Sequence, residues 1–105
     1  MQTKLAEAYK LIYDFKLGIA ILKEQAPLIN ILGRDLGISK DGLSHEELVQ
    51  IIADTDSLWN KITQTTIDQF YNHQKNGNIE QAESVRLQFV QNCPSTWYCG
   101  IVSSL

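Results

Sequence analysis

Apolar residues open the chain on alternating steps of three and four: Leu5, Ala8, Ile12, Phe15, Ile19, Leu22, Ala26 and Ile29. That spacing holds one seam on a single face of an α-helix, and it predicts a helix over residues 3–25. A second apolar line, Tyr13, Leu17, Ala20 and Ile21, lies off the seam. Between Leu11 and Leu22 only Asp14 and Lys16 are charged. A helix apolar on most sides must be covered on most sides. The pattern therefore implies either a central helix or a second subunit on the outer face. Gly18 falls inside this predicted helix, where glycine costs about 1 kcal/mol relative to alanine. Close approach of a neighbouring helix would account for it.

Pro27 suits the first turn of a following helix. Leu28, Ile31, Leu32 and Leu36 predict that helix over residues 27–36, with Gly37 as its C-terminal cap. Residues 37–43 read as a connection. Ser44-His45-Glu46-Glu47 then fits a capping box, with Leu43 and Leu48 at the staple positions, so a helix is predicted to begin at Ser44. Asp54, Thr55, Asp56 and Ser57 are short polar residues whose side chains compete for backbone hydrogen bonds. A break near Thr55 is expected, because an unbroken helix from Ser44 to Lys75 would be about 48 Å long.

The next helix is predicted from about Asp56 to Lys75, with Leu58, Trp59, Ile62, Thr66 and Phe70 inward and Ile67 and Tyr71 alongside. Asn76-Gly77-Asn78 stops it and starts a last helix over 79–91, which Pro94 ends. The pair reads as an αα-hairpin. Ser95 to Leu105 carries Trp97, Tyr98, Ile101 and Val102, and this apolar tail is expected to pack on the helices as a short extended segment. The expected fold is all-α: one single helical domain over residues 1–105, a compact bundle of about five helices with an apolar C-terminal tail.

Charge narrows the candidate functions. Nine basic residues stand against twelve acidic ones, a net charge of −3, and the basic residues are scattered. A nucleic-acid partner or an anionic membrane surface would favour a concentrated basic face, so neither is expected. No stretch approaches the roughly 20 apolar residues of a membrane span, and no export signal is visible, so the expected compartment is the cytoplasm. The two cysteines, Cys93 and Cys99, are expected there as reduced thiols.

Residues 29–48 resemble the core of a helix-turn-helix DNA reader, with Gly33 at the small position, Gly37 at the turn, and Leu32, Leu36, Ile38 and Leu43 at apolar positions. Glu46 stands where that pattern wants an apolar residue, and Gly42 would sit inside the recognition helix. The stretch 34–56 sets Arg34 and Lys40 against Asp35, Asp41, Glu46, Glu47, Asp54 and Asp56, or 2 − 6 = −4. A calcium-loop reading centred on Gly42 offers only Asp41 as an acidic ligand and closes on Leu48, so no calcium site is expected. Gly77, Ala82 and Pro94 share the spacing of half a tetratricopeptide repeat, but Arg86 replaces the aromatic residue and no second copy exists. Cys93 and Cys99 lack the two-residue gap of a redox or zinc pair.

No catalytic, cofactor-binding or metal-binding constellation is therefore expected, and no cofactor. The leading expectation is an interaction or regulatory module working through helix–helix contacts, with a protein partner or a second copy of itself. Its candidate surface is Tyr13, Leu17, Ala20, Ile21, Trp97 and Tyr98. The alternatives are a DNA-binding regulator using residues 29–48, and a ligand carrier or enzyme with a pocket beside Asp14, Tyr71 or His73.

Overall fold

Helix α1 spans Gln2–Lys16 and is shorter than the seam predicts. The structure, a computed structural model, describes residues 2–105. Gly18 is not a mid-helix residue: its φ is +100°, and it caps α1. The Gly18 amide donates to the Phe15 carbonyl at 3.0 Å and the Ile19 amide to the Asp14 carbonyl at 3.1 Å. These crossed bonds satisfy the last carbonyls of the helix, and only glycine enters that conformation without a steric penalty. The helix expected over 3–25 thus ends at Lys16, and residues 19–22 are non-helical before a 3-10 turn at Lys23–Gln25. Periodicity read through the break because Ile19 and Leu22 happen to continue its phase.

A Cβ at Gly18 would meet nothing within 4 Å, so Gly18→Ala is strained through the backbone alone. It should destabilise the chain by about 1–2 kcal/mol. Gly100 lies inside a regular helix with equally open surroundings, and Gly100→Ala should stabilise by about 0.5–1 kcal/mol. Urea titrations of the two variants check the opposite signs.

Helix α2, Ala26–Asp35, begins with Pro27 in its first turn. Gly37 has φ +72°, and the Ile38 amide reaches back to the Gly33 carbonyl at 2.8 Å. The chain then turns through residues 36–44 into α3, His45–Lys75. The capping box is formed as predicted: the Glu47 amide donates to Ser44 Oγ at 3.1 Å, and the Ser44 amide to Glu47 Oε1 at 2.9 Å. The backbone and hydroxyl bonds of Ser44 hold the Glu47 carboxyl below its ordinary value of 4.5. A carboxyl with a lowered folded-state pKa stabilises the fold above its unfolded value and loses that effect as pH falls through the folded one. Glu47→Gln should therefore flatten the decline of stability below about pH 4.5, since the amide keeps an acceptor but does not titrate. Thermal melts across that range measure the flattening.

Helix α3 is continuous, about 46 Å at 1.5 Å per residue, and the break expected near Thr55 is absent. Two of the four short polar side chains find partners other than the backbone. Gln50 Nε2 donates to Asp54 Oδ1 at 3.0 Å, and Lys16 Nζ at the end of α1 donates to Asp56 Oδ2 at 2.5 Å. Occupied in this way, they no longer compete with the helical ladder. Ile52 and Ala53 are buried just before them and anchor the segment.

The chain divides into two compact units, residues up to Ser57 and Leu58–Leu105, with α3 continuous across the division. In the first unit α1 packs on α2. Its core holds Ala8, Tyr9 and Ile12 of α1, Ile29 and Leu32 of α2, and Leu48, Val49 and Ile52 of α3. Tyr9 is buried as a phenol with its hydroxyl satisfied, donating to Asp35 Oδ2 at 2.6 Å.

In the second unit α4, Ile79–Asn92, follows the Gly77 turn and packs on α5, Thr96–Ser103. The α3–α4 hairpin is as predicted, with Trp59 edge-on to Phe89 at 5.9 Å between ring centroids. The inward face of α3 here runs through Thr63, Thr66 and Phe70, whereas Leu58 and Ile62, expected inward, are exposed, as is Tyr71 alongside them. Thr66 tolerates burial because its Oγ1 donates to the Ile62 carbonyl at 2.9 Å.

The apolar tail packs as expected but as helix α5, not as an extended segment. Ser95, fully buried, caps it by accepting from the Tyr98 amide at 3.1 Å. Five α-helices and no strand among the described residues make the protein all-α. Among the described residues, no helix is long and apolar enough to cross a membrane.

Candidate functional site

The end of α1 and the segment after it expose apolar side chains that the fold does not cover. Tyr13 is 61% exposed, Leu17 66%, Ile19 58% and Leu22 57%. Ala20 is exposed and Ile21 half-buried beside them. The seam residues of α1, Ala8 and Ile12, point into the first unit, so Tyr13 and Leu17 fall on its outer side. Helix termination at Gly18 then places Ile19, Ala20, Ile21 and Leu22 in a non-helical stretch. The 3-10 turn that follows is fixed by Gln25, whose Oε1 accepts from the Leu22 amide at 2.8 Å. Residues 17–22, Leu-Gly-Ile-Ala-Ile-Leu, contain no polar side chain.

Four of the six predicted surface residues, Tyr13, Leu17, Ala20 and Ile21, belong to this one stretch. Trp97 and Tyr98 belong to α5 in the other unit, where Trp97 is half-buried and Tyr98 is 5% exposed. Tyr98 is thus a core residue of the second unit. Sequence reasoning missed Ile19 and Leu22 as surface residues because it assigned them to the buried seam. Gly18 was the available signal: a glycine after an a/d run marks a C-cap as readily as a close helix contact.

Asp14 and Lys16, the charged residues of the apolar part of α1, are both paired. Asp14 pairs with Lys10 at 3.1 Å on the exposed side, and Lys16 is taken by Asp56. His45 and His73 are each half-buried, near opposite ends of α3. A shallow open trough lies along Asp68, Gln69, Tyr71, Asn72 and Lys75, and His73 does not line it. Among the described residues, no group of histidine, cysteine or carboxylate side chains is placed to hold a metal ion.

Cys93 and Cys99 are thiols. Cys99 Sγ lies 3.4 Å from the Cys93 carbonyl oxygen and 3.7 Å from that of Val90, and so serves as a weak donor to the end of α4. In the helix-turn-helix stretch, the connection 36–44 is longer than the tight turn of about three or four residues that such readers use. Gly42 sits in that connection with φ +77°, outside any helix.

These features define an all-α protein with an uncovered apolar segment after its first helix. No protein family, curated protein or solved structure matches the chain.

Proposed function

We propose that this chain is a small protein-interaction module and that it self-associates through Tyr13, Leu17, Ile19 and Leu22. The observation that carries the reading is the run of large apolar side chains, each more than half exposed, in a stretch that supplies no polar side chain between Leu17 and Leu22. Burying each such leucine or isoleucine would contribute about 1.5–3 kcal/mol. Monomeric proteins rarely leave contiguous apolar patches of this kind unused. A second copy suits the patch better than a transient partner, because homodimer interfaces are the more apolar class. The contact differs from a helix–helix seam: it combines the last turn of a helix with a non-helical segment.

Amide hydrogen exchange read residue by residue tests the surface. The Ala20 and Ile21 amides make no hydrogen bond in the single chain, so they should exchange rapidly in dilute solution. Raising the protein from about 10 μM to about 1 mM should slow them at least about tenfold as the complex fills. Equal exchange at both concentrations would exclude this segment from any self-contact.

A further inference from the structure

The turn after α2 brings two cations to one cavity. Asn30 and Arg34 stand one helical turn apart on the same face of α2. The bond from the Ile38 amide to the Gly33 carbonyl folds the chain back over the last turn of that helix. Lys40 is thereby carried to the cavity that Arg34 lines. The cavity has a volume of about 260 Å³ and is lined by Asn30, Gly33, Arg34, Ile38, Lys40 and Leu48. No acidic side chain lines it.

Two nearby carboxylates are hydrogen-bonded within the fold. Asp35 accepts from the Tyr9 hydroxyl at 2.6 Å, and Glu47 is held by the Ser44 amide at 2.9 Å. Arg34 and Lys40 take part in no ion pair among the described residues. Two like charges facing one hollow repel each other, and an anion between them turns that repulsion into two charge-assisted contacts. Gly33, Ile38 and Leu48 leave the remaining wall apolar apart from backbone groups.

We propose that this cavity binds the phosphate group of a small phosphomonoester, with Arg34 and Lys40 as its charge partners and the Asn30 amide as a neutral donor. Three separate donor groups exceed what a single carboxylate fork needs and suit a tetrahedral oxyanion. The volume admits a phosphate with a short carbon chain. The site uses none of the residues of the self-association surface and does not depend on it.

The test is a titration of the full chain with glycerol phosphate, with acetate in parallel, at constant ionic strength. Backbone amide shifts of Gly33, Ile38 and Lys40 are followed by NMR. The expected result is saturable shifts with glycerol phosphate at a Kd of about 1 mM, and at least about tenfold weaker binding of acetate. Arg34→Gln and Lys40→Gln should each weaken phosphate binding about tenfold. Lys75→Gln removes the same charge at the far end of α3 and should leave it unchanged. Arg34 and Lys40 are exposed, so both variants should keep the wild-type melting curve. Linear, unsaturated shifts, tighter binding of acetate, or an equal loss in Lys75→Gln would each overturn the proposal.

Discussion

Leu32→Ala will lower stability by about 3 kcal/mol, within the range for fully buried leucines. Leu32 is wholly inaccessible on α2, in a core shared with Ile12 of α1 and Ile52 of α3, which are equally inaccessible. Truncation loses the transfer energy of the removed carbons and leaves a cavity walled by helices that cannot fully collapse. Urea unfolding followed by helical circular dichroism reads the change. With a slope of about 1.5–2 kcal/mol per molar, the midpoint should fall by about 1.5–2 M. Both tryptophans, Trp59 and Trp97, lie in the second unit, so their fluorescence follows that unit specifically. A loss under about 1 kcal/mol would mean that Leu32 is not in a close-packed core.

The second large effect concerns association. Leu17→Lys with Leu22→Lys should weaken self-association by at least about a thousandfold, because a contact between two copies then buries four ammonium groups, and each without a partner costs about 2 kcal/mol or more. Lysine is compatible with the end of α1, where a cation meets the negative pole of the helix. Both leucines are exposed in the single chain, so its stability should change by no more than about 0.5 kcal/mol. Light scattering at matched concentrations separates the outcomes. Unchanged association in the double variant would remove these side chains from the contact.

Local rules carried most of the fold. The Ser44–Glu47 capping box, the stops at Gly37 and Gly77, the hairpin of α3 and α4, and the inward Ala8, Ile12, Ile29, Leu32 and Phe70 all follow from sequence because each is decided within a few residues. The misses have two physical sources. At Gly18 the signal was local, but a glycine serves a C-cap as readily as a close helix contact. Near Thr55 the outcome depends on a partner 40 residues away: Lys16 satisfies Asp56, and α3 runs on through a stretch that local propensity would break. Helix α5 likewise depends on burial of Ser95, Tyr98 and Val102, since eight residues rarely hold a helix unaided.

The candidate surface was half legible for the same reason. Composition exposed an excess of apolar residues near Leu17, but only termination at Gly18 turns Ile19 and Leu22 from seam residues into surface. The cavity between Arg34 and Lys40 had no sequence signal, because it is made by the fold-back of the turn after α2. Counting charges over residues 34–56 even pointed away from it, since a sum along the chain does not say which side chains line one hollow, and no acidic side chain lines this one.

Self-association through an uncovered apolar segment is most directly tested by sedimentation equilibrium of the unmodified chain across a wide concentration range. The chain mass is 11.9 kDa. The account predicts an average mass that climbs with concentration toward twice that value. A mass that stays at 11.9 kDa at every concentration would contradict it.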